Sequence, residues 1–314
     1  MSNFFLTNQN QIIKIRLTMQ NIKTLVRLKD FHNKYYQEFL SEKETDIEKI
    51  KVVETFLKEA IDKNDFCIRV KIDALQSIIQ DNRIKSVVEL GRGGATIGGK
   101  NTRIKAIKYL FDVSEEELDV RDFPKFGYLS CKEKFIEFVG NSSMLYQYGN
   151  IILTFNKEKM FERTTLTVGN SLNFGEFLRK IPTFISDPKV ICIKGKPRQN
   201  TLDIPIDFSV KSRHYYINKF YDAIMNKKLI SEKPFLLPEI FNENGFEFFE
   251  LQFHGDIIFD NVIQQIDYYP YSEEEEANFE KLIPLLEEKK INVNKFDFNV
   301  GKEQTDDGTA KIQK

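Results

Sequence analysis

Several groups of residues in this chain combine types and spacings that suit chemistry. Glu250 lies in Phe246-Glu247-Phe248-Phe249-Glu250-Leu251-Gln252-Phe253-His254. This run is β-rich, and period-two alternation puts Phe248, Glu250 and Gln252 on one face. A single carboxylate among aromatic and aliphatic neighbours sits in a low dielectric, where it stabilises a developing positive charge strongly. Arg69 lies in the strand-like Phe66-Cys67-Ile68-Arg69-Val70-Lys71-Ile72, and a guanidinium there suits a pyrophosphate or a ribose. Arg92 and Arg103 are alternatives for the same task. The segment Phe126-Gly127-Tyr128-Leu129-Ser130-Cys131 offers an aromatic wall in Tyr128 and an orienting hydroxyl in Ser130.

The stretch Gly94-Ala95-Thr96-Ile97-Gly98-Gly99-Lys100-Asn101 nearly matches a phosphate-cradling loop. The strand-like Val87-Val88-Glu89-Leu90 precedes it and a helix is expected after it. Asn101 stands where the metal-binding hydroxyl belongs, with Thr102 one residue too late, and no second strand ending in a magnesium-holding Asp stands out. A P-loop-like nucleotide-binding enzyme using Gly94–Lys100 is therefore one alternative function. A non-catalytic binding module is another.

A further polar stretch, Arg163-Thr164-Thr165-Leu166-Thr167-Val168-Gly169-Asn170, runs from a Thr-rich strand into a turn. Its hydroxyls suit sugar or phosphate contacts, with Thr165 a candidate cofactor contact, or serve in place of Ser130. His32, His214 and His254 are far apart, and the cysteines, Cys67, Cys131 and Cys192, form no CxxC. No metal site is expected from these spacings. His254 follows Glu250 at the strand end, where it either lines the site or, as the favoured expectation, is an ordinary turn residue.

The elements that position these groups are read from periodicity. Residues 1–64 form a helical N-terminal region, with Ile47, Ile50, Val53, Leu57 and Ala60 at helical spacing. From Asp65 the period shortens. Strands are expected at 66–72, 126–131, 150–155, 164–168, 189–193 and 246–254, with further β signal at 257–259 and 262–269. Helices are expected after an Asp73 cap, at 102–111, 132–139 and 212–228, and at 272–290 with a break near Pro284. Residues 65–299 form an α+β body and 300–314 a disordered tail.

The order Arg69 strand, Phe126–Cys131 strand, Glu250 strand resembles the ADP-ribosyltransferase superfamily, which has an Arg (or His) strand, a Ser-Thr-Ser strand and a catalytic Glu strand. Phe126-Gly127-Tyr128-Leu129-Ser130-Cys131 is similar to that family's aromatic–Gly–Phe–Leu–Ser–Thr–Ser stretch. Residues 250–270, from Glu250 to Pro270, resemble its ending. The resemblance implies a split, mostly antiparallel two-sheet body with a cleft behind the helical N-terminal layer. It also implies NAD⁺ as co-substrate, Glu250, Arg69 and Ser130 as catalytic residues, and Arg69, Gly127, Tyr128, Ser130 and Thr165 around NAD⁺. Two positions depart from the family pattern. Ser130 is followed by Cys131 and Lys132, and Phe248 stands two residues before the Glu, where members that modify arginine carry a carboxylate or amide. The implied function is transfer of ADP-ribose to a protein or nucleic acid, as in a bacterial toxin, effector or antiphage defence enzyme, with an inhibitory partner or antitoxin.

Composition bounds these readings. The chain has 314 residues, with 46 Lys+Arg against 47 Asp+Glu and a net charge of −1. That balance argues against a partner held by bulk charge, so nucleic acid would be recognised through a local patch and stacking. A 41% hydrophobic, 30% charged composition fits a globular fold. The chain contains 28 Phe and no Trp, and several Phe flank Glu250. The N-terminal residues lack a signal-peptide order and no long apolar run occurs, so a cytoplasmic protein without membrane contact is expected.

Overall fold

The computed structural model describes residues 22–43, 45–91, 99–131, 148–169, 178–194, 213–232, 248–270 and 272–296. Arg92, the Gly94–Gly98 part of the glycine-rich loop, the helix expected at 132–139 and the 300–314 tail lie outside them.

The chain begins with helices α1 (Lys23–Leu40) and α2 (Ile47–Lys63), followed by β1 (Asp65–Val70), α3 (Ile72–Asp81), the single turn α4 (Val87–Leu90) and α5 (Gly99–Phe111). Strands β2 (Lys125–Ser130) and β3 (Ile151–Phe155), α6 (Lys157–Met160), β4 (Thr164–Val168), β5 (Leu178–Ile181), β6 (Thr183–Phe184) and β7 (Ile191–Lys194) come next. The order ends with α7 (Arg213–Met225), β8 (Phe249–Phe253), α8 (Phe259–Val262), β9 (Ile263–Tyr268), α9 (Glu273–Glu280), α10 (Ile283–Glu288) and β10 (Asn292–Lys295).

The fold is α+β. One mixed sheet has the order β10-β9-β3-β1-β2-β8-β4-β6, and β5 pairs with β7 in a separate ribbon. Every pairing in the large sheet is antiparallel except β9 with β10. Where the resemblance implies a split, mostly antiparallel two-sheet body, the described strands form one broad sheet and a short ribbon.

The alternation of side chains gives the sheet two chemically opposite faces. Phe66, Ile68, Leu129, Leu153, Phe155, Leu166, Phe249, Leu251 and Phe253 lie in the main apolar core, with residues of α2, α3, α7 and α10. Each fully buried Phe contributes about 1.5–3 kcal/mol by leaving water. The other face carries Cys67, Arg69, Phe126, Tyr128, Glu250, Gln252, Thr165 and Thr167, set side by side by the cross-strand register. A smaller core, containing Leu28 and Phe31 of α1, Ile107 and Phe111 of α5 and Ile181 of β5, packs over part of this polar face, with Phe126 against it.

Helix α1 contributes Leu28 and Phe31 to the smaller core and Phe39 to the main one, which Val53 and Leu57 of α2 also enter. Asp46 caps α2 by accepting from the Lys49 N–H.

Some local expectations are corrected. Val87–Leu90 is a helical turn, not a strand: the Ser86 hydroxyl accepts from the Glu89 N–H and Gly91 ends it in a left-handed conformation. A four-residue apolar run suits either state, and the cap decides it. Lys71, not Asp73, is the N-cap of α3; Asp73 lies in its first turn, where its charge complements the helix dipole. Ile257–Phe259 makes only an isolated bridge, Ile258 with Arg83, before α8 begins. The break in 272–290 falls between α9 and α10, with Pro284 at the start of α10, where its missing N–H costs nothing.

Candidate active site

The site is built from the middle of the polar face. β1, β2 and β8 are neighbours in the sheet, so Cys67 pairs with Tyr128, and Tyr128 with Glu250. Residues far apart in sequence thereby share one surface. Glu250 is 2% exposed, Arg69 6% and Arg103 9%. Charges this deeply buried are tolerated only when paired or hydrogen-bonded.

Glu250 is held from its own strand. Gln252 Nε2 donates to Glu250 Oε1 at 3.1 Å and to Thr167 Oγ1 at 3.0 Å. Across from it, Arg103 of α5 brings Nη1 to 4.0 Å from Glu250 Oε2, an ion pair with no hydrogen bond to Nη1 among the described residues. The Arg103 guanidinium lies over the Phe126 ring at 4.2 Å. Arg103 is thus seated beside the carboxylate, while Arg92 lies outside the described residues.

Arg69 lies on the same face. Its Nε donates to the Tyr128 hydroxyl at 3.2 Å, and its guanidinium is 5.8 Å from that ring. Tyr128 is thus a buried support for Arg69, with its ring edge-on to Phe248 at 6.5 Å. Tyr148 packs against the same cluster of Cys67, Tyr128, Ile152, Phe248 and Tyr269. Burial raises the Tyr148 phenol above its ordinary value; Arg103 opposes this and Glu250 adds to it.

The remaining predicted residues fall differently. Ser130 is fully buried and its hydroxyl donates to the Cys131 carbonyl at 3.2 Å. Gly127 faces the apolar side: a Cβ there would lie 2.2 Å from the Cys67 carbonyl oxygen and 2.7 Å from the Phe253 ring. Its requirement is close packing of β1, β2 and β8, not cofactor contact. Thr165 donates its hydroxyl to Gln252 Oε1 at 2.9 Å, so its proton is committed within the protein. Phe249 and Phe253 also belong to the opposite face, whereas Phe248 joins the wall near Glu250; Phe246 lies outside the described residues.

Sequence reasoning favoured a turn role for His254 over one lining the site. It is fully buried, 2.9 Å from Thr165 Oγ1 through Nε2 and 2.7 Å from Thr24 Oγ1 through Nδ1, and edge-on to Phe111 at 5.0 Å. Burial, reinforced by Arg163 and Lys125, pushes its imidazole down to about 3, so it is neutral. The available signal was the alternation itself, because His254 continues the Glu250–Gln252 face.

A clamp fixes the strand end that carries it. Arg163 donates to the His254 and Asp256 carbonyls, while Arg83 donates to Asp256 at 2.8 Å and Glu89 at 2.9 Å. Gly255 has φ +74°, and a Cβ there would meet Arg163 Nη2 at 2.9 Å, so the turn requires glycine for both conformation and space. Lys125 donates to the Arg121 and Gly255 carbonyls, and burial pushes its ammonium down to about 8.

Chemically, the face presents a fixed buried carboxylate with one guanidinium beside it and another two strands away. That arrangement suits stabilisation of a cationic centre next to an anionic group. Among the described residues no cluster of His, Cys, Asp and Glu suited to a metal occurs, and no helix is long and apolar enough to cross a membrane. No family model matches the sequence, and no curated protein matches it.

Proposed function

We propose that this protein is an NAD⁺-dependent ADP-ribosyltransferase that modifies a protein or a nucleic acid. The observation that carries the reading is the adjacency of β1, β2 and β8, which lines up Arg69, Tyr128 and Glu250 on one polar face although they are distant in sequence. In this reaction the bond between nicotinamide and ribose breaks, its electron pair leaves with nicotinamide, and the acceptor's lone pair forms the new bond to the ribose. The ribose becomes cationic in the transition state, and Glu250 is the group that stabilises it. Arg69 or Arg103 holds the pyrophosphate. On this reading the eight-stranded sheet and the β5–β7 ribbon correspond to the split body of the superfamily, and the chain acts as a toxin, effector or defence enzyme.

Glu250→Gln tests the assignment. The variant keeps shape and loses charge, and transfer from labelled NAD⁺ is expected to fall by about 100-fold or more, in line with loss of one transition-state electrostatic contact. Unchanged transfer by a folded Glu250→Gln protein rejects the assignment. The P-loop alternative is not favoured, since a helical turn stands where its strand is required.

A further inference from the structure

Thr24, His254, Thr165, Gln252 and Glu250 form one hydrogen-bonded chain, with separations of 2.7, 2.9, 2.9 and 3.1 Å. All five are at most 2% exposed. The direction of its protons follows from the chemistry of its ends. The Gln252 amide N–H donates to the Glu250 carboxyl oxygen, which leaves the amide oxygen to accept from another donor. Thr165 supplies that donor. Its single proton is then used, so the contact with His254 is an Nε2–H donating to Thr165. A neutral imidazole has one N–H, which leaves Nδ1 as an acceptor for the Thr24 hydroxyl. The amide orientation and the imidazole tautomer are thereby fixed together.

We infer that Gln252, Thr165 and His254 are positioning residues for Glu250, and that Thr24 makes helix α1 part of this positioning chain; the inference rests on Glu250 being the catalytic carboxylate. The opposite face of the same strands shows that apolar side chains fill such a sheet readily. Buried polar groups cost stability unless every member is satisfied, and a fully satisfied chain rigidifies what it ends on. Here it ends on Glu250. The ring of His254 is itself held edge-on by Phe111.

The test compares Thr165→Val, which keeps shape and removes the hydroxyl, with Thr165→Ser, which restores it. For Thr165→Val, kcat for ADP-ribose transfer is expected to fall about tenfold or more while KM for NAD⁺ stays within about threefold, the pattern of a contact that matters in the transition state. Thr165→Ser is expected to recover kcat. An unchanged kcat in Thr165→Val, or a loss that Thr165→Ser does not recover, overturns the inference. Nitrogen-resolved NMR of His254 in the full chain gives a readout independent of activity: a neutral Nε2–H imidazole is expected, and an Nδ1–H tautomer overturns the chain. Transfer retained by Glu250→Gln instead removes the catalytic assignment while leaving the tautomer result standing, so the two failures are separable.

Discussion

Gln252 donates to the Glu250 carboxylate from two positions further along the same strand. Such residues start roughly 7 Å apart along an extended backbone, so the 3.1 Å contact requires the two side chains to lean together. Thr167, the cross-strand partner of Glu250, accepts from the same amide nitrogen. The amide that holds the carboxylate is thus itself anchored by a second strand.

Replacing that amide by a second carboxylate changes the site's titration. In Gln252→Glu, two like charges face each other in a buried site, and one must be protonated near neutrality. Transfer at pH 7 is expected to fall, and the acid limb of the pH–rate profile to move up toward neutrality. A profile superimposable on the parent's contradicts this geometry.

Arg69 and Arg103 are separable by kinetics. Arg69→Lys keeps the charge but loses the planar fork and the Nε bond to Tyr128. A rise of about tenfold in KM for NAD⁺ is expected, with kcat little changed, the sign of a contact made equally in ground and transition states. Arg103→Lys, beside Glu250 at 4.0 Å, is expected to lower kcat as well. Steady-state kinetics on both variants checks the contrast.

Gly127→Ala is expected to destabilise the fold without touching the chemistry directly. The new methyl would sit 2.2 Å from the Cys67 carbonyl oxygen, with the buried Phe253 ring at 2.7 Å and the Ile68 side chain at 2.9 Å, so little room is left to relax. Overpacking costs typically 1–3 kcal/mol, and about 3 kcal/mol or more is expected here. Urea denaturation measures it.

His254 makes stability sensitive to acid. Its folded-state value is about 3, below the ordinary 6.5, so between those values the unfolded chain holds one more proton than the folded one. Stability therefore rises with pH across that window and is lost as pH falls from about 6.5 toward 3, at up to about 1.4 kcal/mol per pH unit from this group. Denaturant unfolding at pH 7 and pH 5 is expected to show a smaller difference for His254→Gln than for the parent.

Much of this arrangement was legible in the sequence, and the limits were physical. Short β-rich runs around Arg69, Tyr128 and Glu250 identified their strands, and alternation put Gln252 beside Glu250. Alternation within one strand does not say which strands pair, so Thr24 and Arg103, supplied by helices packed over the sheet, carried no local signal. The aromatic residues misled for the same reason. Phe248 and Phe249 are adjacent in sequence and belong to different cores. Val87–Leu90 was ambiguous because four apolar residues do not distinguish a strand from a capped turn.

The opposed faces of the sheet also bear on how the chain finds its pairing. A slip of β8 by one residue against β2 or β4 would turn Glu250, Gln252 and His254 into the phenylalanine core and swing Phe249, Leu251 and Phe253 against Arg69 and Thr165. Both consequences are costly, so the residues assigned to chemistry also act as a register lock. A misaligned β8 is penalised by the same carboxylate to which the proposed chemistry is assigned.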